Sequence, residues 1–265
     1  MVYPSLVTES AKQDSSGPKP LRVARREHPA ESLRRAREMQ SLVEKRFPRG
    51  PERDLDRLPA IALVRGPIVS TRAAVNNEAT PCLAYAYLAA YVGRHGYKCT
   101  VVDGIAEALN RVWALEKYPN FQCHGLTFEE IIDRIPVDTE VIGFSLMFSG
   151  EWPVLRDLIG EARKRFPDAL FVVGGEHVTA LTEYTLRDCP AIDICARGEG
   201  EHTLFEILET YRGQGDFSKV NAVAYLDAAG NYTEVGGLPR IREVDSIPWP
   251  AWPDGYMEQI GRAHV

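Results

Sequence analysis

From Leu58 onward the chain alternates short, largely apolar runs with longer stretches in which apolar positions recur every three or four residues. A run of four to six apolar residues reads as a strand covered on both faces, and a period near 3.6 reads as a helix with one buried stripe. This pattern predicts strands at 61–64, 97–102, 141–146, 170–173 and 192–196. Helices are predicted at 81–95, 152–166, 179–187 and 201–211, with Pro81 in a first helical turn and Gly96 as a terminator. Residues 65–80 read as a polar loop. The less regular stretch at 105–136 reads as two helical segments, at 106–115 and 128–135. Because every crossover carries a helix, the strands should be parallel and covered on both sides. The expected fold is α/β, a Rossmann-like (flavodoxin-like) doubly wound five-stranded parallel sheet in three layers. Residues 222–226 and 232–235, separated by the turn-forming stretch Asp227 to Asn231, predict an appended β-hairpin.

The flanks read differently. Residues 1–29 are rich in Ser, Pro, Lys and Arg without apolar period and are expected to lack fixed structure. Leu33, Ala36, Met39, Val43 and Phe47 share one face of an amphipathic helix at 30–47, ended by Pro48 and Gly50. With the linker that follows, this segment runs over 30–57. The α/β domain is assigned to 58–240. Residues 241–259 contain IPWPAWPDGY, too proline-rich for regular structure, and are expected to link to a further domain. The last six residues, IGRAHV, are the translation of a common sequencing-library adapter, so the natural sequence is expected to run only to about Gln259.

Composition narrows the classes. With 265 residues, 45% hydrophobic and 26% charged, the chain has material for one globular domain plus appendages. No apolar run approaches the roughly 18 residues that span a bilayer, and no secretory signal pattern is present, so no membrane span and a cytoplasmic location are expected. Cys82, Cys99, Cys123, Cys189 and Cys195 are scattered without CxxC spacing, which argues for reduced thiols and against a metal site. Residues 1–57 carry 13 Lys/Arg against 9 Asp/Glu, leaving 18 against 28 for the rest. An acidic body is not a nucleic-acid surface.

The candidate chemistry lies where strands stop at glycines. Phe171–Val173 ends at Gly174-Gly175, and Ile192–Ala196 ends at Arg197-Gly198-Glu199-Gly200-Glu201. At the carboxyl ends of parallel strands, glycine lets a ligand approach the backbone. Gly198 to Glu201 also opens a helix, whose first amides can donate to a ligand. Glu199 and Glu201 are equally explained by charge complementarity at that helix terminus.

Five stretches together resemble the cobalamin-binding domain at the N-terminus of B12-dependent radical S-adenosylmethionine enzymes: TPCLAYAYLAAYVGRHG at 80–96, GFSL at 143–146, VVGGEHVTA at 172–180, RGEGE at 197–201 and IPWPAW at 247–252. The resemblance covers about residues 59–256. It implies cobalamin as cofactor, with contacts from Ser145, Leu146, Gly174, Gly175, Glu176, His177, Gly198, Glu199, Gly200 and Glu201. It also implies that S-adenosylmethionine, a [4Fe–4S] cluster and the small-molecule substrate belong to a following domain, so this stretch holds no catalytic residue. Methyl transfer to an unactivated carbon is the expected reaction of such a parent enzyme. Cyclases and ring-rearranging enzymes share the same front half.

One departure is informative. Where cobalamin-dependent mutases place a cobalt-ligating histidine before the first helix, this sequence has Pro81, which implies no protein ligand to cobalt. His177 is the rival ligand, with a hydrogen bond to the turn or to the cofactor tail as its other reading. A valine at Gly175 is expected to enter the ligand space and spare the fold, with Gly66→Val as the control for strain.

Two other classes fit less well. A flavodoxin-like receiver or sensor module should have acidic residues after its first strand and a lysine after its fifth, but Arg65-Gly66-Pro67 and Arg197-Gly198 stand there. A dinucleotide-dependent oxidoreductase should carry GxGxxG in its first turn, which is absent here, and Asp103 alone is weak evidence for a ribose contact.

Overall fold

The computed structural model describes residues 57–74, 80–213, 220–227, 229–238, 240–254 and 256. The expected tail at 1–29, the helix at 30–47 and the terminal hexapeptide lie outside them. Parallel strands β1 (Ile61–Arg65), β3 (Cys99–Asp103), β6 (Val141–Ser145), β7 (Leu170–Gly174) and β8 (Ile194–Ala196) form the centre of one sheet. Antiparallel β9 (Val223–Leu226) and β10 (Tyr232–Val235) extend it beyond β8, as the hairpin pattern predicts. The sheet order is β10-β9-β8-β7-β6-β1-β3. The chain reverses its direction of winding between β1 and β6, the position where open α/β sheets part to admit a ligand.

Alternation within each strand divides the core in two. Ile142, Phe144, Phe171 and Val173 point to one face and pack with Leu155, Leu158 and Ile159 of α3 (Trp152–Arg165). Ile61, Leu63, Leu170 and Val172 point to the other, toward Tyr85 and Val92 of α1 (Leu83–Arg94) and Leu204 and Leu208 of α6 (Gly200–Arg212). Each fully buried side chain contributes about 1.5–3 kcal/mol, so both faces are strongly specified.

Four expectations change. The segment at 106–115 is a 3₁₀ turn (Ala106–Ala108) followed by β4 (Val112–Ala114), and the loop at 65–80 contains β2 (Ile68–Thr71). Both pair antiparallel with β5 (Phe121–His124) in a separate three-stranded sheet. The Asp103 carboxylate accepts the amides of Ile105 (2.9 Å) and Ala106 (3.3 Å), a local turn that competes with helix. Trp113, Val69 and Cys123 then find cover against Val154 of α3, a long-range contact that local periodicity does not carry. The helix expected at 179–187 is two helices, α4 (Glu176–Ala180) and α5 (Thr182–Asp188), broken where Leu181 leaves helical angles at φ −128°, ψ 41°. Finally, Cys82 occupies the position just before α1, so Pro81 sits outside the first turn. The short α2 (Phe128–Asp133) starts in a Thr127/Glu130 capping box, as the predicted helix at 128–135 requires.

Candidate functional site

At the carboxyl ends of β1, β6, β7 and β8, on the side of α1 and α6, lies a cleft of about 150 Å³. Its floor is made by residues that alternation turns to this face: Leu63, Gly143, Ser145, Val172, Gly174 and Ala196. Its walls come from Tyr85 and Leu88 of α1 and from Gly200, Glu201 and Leu204 of α6. Met147, half exposed, stands at the rim beside the exposed Phe148. Tyr85 holds the floor together. Its hydroxyl donates to the Val64 carbonyl (2.5 Å) and accepts from the Ser145 amide (2.9 Å), bridging β1 and β6 where they part. Burial pushes the Tyr85 phenol well above its ordinary range, so it stays a neutral hydroxyl.

Six of the residues that the sequence singled out, Ser145, Gly174, Gly175, Gly198, Gly200 and Glu201, line this cleft. It missed Tyr85, Leu63 and Leu204, whose apolar character announced only burial. The two adjacent glycines do different things. Gly174 has ordinary strand geometry, and a Cβ there would meet only Ala196, at 3.4 Å from its carbonyl oxygen. Gly175 has φ +101°, and a Cβ there would lie 2.5 Å from the Leu146 carbonyl oxygen. The expectation that a side chain at 175 projects into open ligand space is therefore corrected: it would strike the backbone of the neighbouring loop. Gly66 is no mild control either, because its Cβ would lie 2.2 Å from Leu155 Cδ2 in the core.

Four expected contacts point elsewhere. Leu146 is 1% exposed and its side chain belongs to the core on the α3 side. His177, also buried, lies on that same far side of the sheet. Its Nδ1 is 2.9 Å from Ser149 Oγ, its Nε2 3.3 Å from Thr185 Oγ1, and its ring stacks on Trp152. The ring's partners thus lie in the loop after β6 and on α5, not in its own GGEH turn. Glu176 is exposed on α4. Glu199, outside the cleft, accepts the amide of Ile241.

Burial lowers the His177 pKa below its ordinary 6.5, which carries a stability consequence. The unfolded chain binds the proton more readily, so the contribution of this residue is complete above about pH 6.5 and is lost as pH falls below it. Thermal melts between pH 7.5 and 5 should show stability falling on the acid side, and His177→Asn should flatten that slope. An unchanged slope in the variant would assign the acid sensitivity to other groups.

Among the described residues no group of three or more His, Cys, Asp or Glu could hold a metal ion, and no helix is long and apolar enough to cross a membrane. Burial pushes the thiols of Cys99 and Cys123 up to about 12 and that of Cys189 up to about 11, so they are protonated at neutral pH.

The family model of the B12 binding domain matches residues 71–208, more than half of the chain and all but one strand of the parallel core. The chain belongs to the B12-binding domain family. This B12-binding domain is 30% identical over 194 residues to the uncharacterized methyltransferase PH0819 of Pyrococcus horikoshii, a match covering 72% of this chain and 38% of that protein. It is 26% identical over 198 residues to the cytidylyl-2-hydroxyethylphosphonate methyltransferase of Streptomyces wedmorensis, covering 67% and 37%. The chain thus spans under two fifths of the length of these curated relatives. Over 103 residues it is 34% identical to the anaerobic magnesium-protoporphyrin IX monomethyl ester cyclase of Cereibacter sphaeroides, covering 37% and 16%. Among solved structures, the cobalamin-dependent S-adenosylmethionine radical enzyme OxsB, with aqua-cobalamin and S-adenosylmethionine bound, superposes with a TM-score of 0.59 at 17% identity. That match covers 85% of this chain and 30% of OxsB, and shows a shared fold.

Proposed function

We propose that this domain holds cobalamin by its nucleotide tail in the cleft between α1 and α6, as the cobalamin-holding part of a cytoplasmic radical S-adenosylmethionine enzyme that transfers a methyl group to an unactivated carbon of a small molecule. The observation that carries the reading is the glycine-floored cleft at the sheet's switch point. A cavity of about 150 Å³ admits a single aromatic ring system, which fits the base at the end of the tail and leaves the corrin outside. Gly174, Ala196 and Gly200 keep the slot open, Ser145 supplies a hydroxyl at its floor, and the first turn of the 13-residue α6 supplies donor amides. Bound cobalamin would supply the methyl-carrying chemistry, and the protein's share is placement. The S-adenosylmethionine and [4Fe–4S] sites belong, on this reading, to a domain joined through residues 241–259. The names of two relatives favour methyl transfer. The stronger local identity to the cyclase, 34% over 103 residues, supports ring formation as a second reading.

No protein histidine is expected on cobalt. Pro81 stands before α1, and both ring nitrogens of His177 face partners on the other side of the sheet. After incubation with hydroxocobalamin and desalting, the folded protein should retain about one corrin per chain. The paramagnetic resonance spectrum of its Co(II) form should lack histidine nitrogen coupling. Folded protein that retains no corrin would overturn the assignment, and a nitrogen coupling that disappears in His177→Ala would overturn the unligated lower face.

A further inference from the structure

The proline-rich segment that reads as a linker is packed onto the domain beside the cleft. The Ala251 amide donates to the Ala86 carbonyl of α1 (3.0 Å), and Trp252 stacks on Tyr256 at 5.4 Å, with Ala106 completing the small apolar cluster. Tyr256 is 6% exposed. Its hydroxyl accepts from the Cys82 amide (3.3 Å) and donates to Asp103 Oδ2. Arg65 approaches the same carboxylate oxygen through Nη1 (3.2 Å), and that nitrogen also donates to the Thr80 carbonyl (2.9 Å). Both ends of Thr80–Cys82 are therefore tied to one buried aspartate. Cys82 gives α1 no side-chain cap, and the first amides of a helix lack partners within it. The missing acceptor at Cys82 comes from a residue 174 positions away. Three residues after Cys82 comes Tyr85, the cleft wall that bridges β1 to the Ser145 amide.

We infer that Tyr256 is a positioning residue of the cobalamin site, fixing the start of α1 and through it the Tyr85 wall of the cleft. This rests on the functional reading above. It places the C-terminal segment within the cofactor site, so that whatever follows residue 256 is mechanically joined to the cleft through one hydroxyl and one aspartate. Two hydrogen bonds are at stake, one of them to a buried carboxylate, which corresponds to about a tenfold change in affinity.

Tyr256→Phe in the full chain keeps the ring and its stack on Trp252 and removes only the hydroxyl. The dissociation constant for hydroxocobalamin should rise about tenfold. Amide hydrogen exchange in the cofactor-free protein should accelerate at residues 82–86 while that of residues 170–174 stays unchanged, a local signature that general loosening would not produce. Should Tyr256→Phe fail to fold, Asp103→Asn, which keeps an acceptor oxygen for the turn but removes the charge, should move both readouts in the same direction. Unchanged affinity, or unchanged exchange at 82–86, overturns the inference. Wild-type protein that binds no corrin overturns the functional reading instead, and this inference with it.

Discussion

Gly174→Val should abolish cobalamin binding while the domain remains folded. The residue ends β7 on the face shared with Val172, in extended geometry that β-branched side chains favour. A Cβ there meets Ala196 at 3.4 Å from its oxygen and 3.9 Å from its Cβ, ordinary contact that requires nothing to move. The two further methyl groups of valine then occupy a cleft of only about 150 Å³. Crowding of this kind costs the fold about 1–3 kcal/mol, against a total of about 5–15 kcal/mol for a domain. The ligand has less room for adjustment, because a planar base in a ring-sized slot cannot shift sideways. A loss of at least about a hundredfold in affinity is expected, roughly 2.8 kcal/mol. Absorbance titration with hydroxocobalamin alongside a thermal melt separates the two effects. Wild-type affinity in a folded variant would move the tail site away from β7.

One residue later the expected result reverses: Gly175→Ala should damage the fold itself. At φ +101° an L side chain is strained by about 1–3 kcal/mol. Its Cβ would also sit 2.5 Å from the oxygen, and 2.9 Å from the carbon and nitrogen, of Leu146. That residue cannot withdraw easily. Its amide donates to the Gly174 carbonyl (2.8 Å) and its carbonyl accepts from the His177 amide (3.1 Å), so moving it breaks the junction between the tips of β6 and β7. Adding an overpacking cost of about 1–3 kcal/mol gives a total of roughly 2–6 kcal/mol, or a fall of about 4–24 °C in melting temperature for a domain of this size. A variant that melts like wild type would show that the loop relaxes at little cost. Any loss of corrin binding in Gly175→Ala must therefore be compared with its loss of stability, whereas in Gly174→Val it can be read directly.

The contrast between these glycines shows how far the sequence reaches. A pair of glycines ending an apolar run announces a strand terminus where backbone comes close to something. The letters do not say whether that something is a ligand or another loop. His177 makes the same point. Its place inside the GGEH turn offered it as a cobalt ligand or a tail contact, yet the first turn of α4 carries its ring behind the sheet, against Trp152 and Thr185. Tyr85 is the converse. It sits in a helix whose apolar stripe was legible, while the hydroxyl that joins β1 to β6 was not. The segment at 247–256 was legible only as irregular; that it closes over Asp103 depends on a contact spanning 153 residues.

What the sequence determined by itself is the layered parallel sheet, its strand-helix order, the hairpin at its edge and the glycine-lined carboxyl-end rim where the cleft lies. Each follows from periodicity, which is local: a strand or helix declares its buried face within a few residues of itself. The small antiparallel sheet, the side to which each rim residue turns, and the docking of Tyr256 were decided only by the tertiary structure. They depend on which surface lies opposite, and a chain's local pattern records that a surface must be covered without recording what covers it.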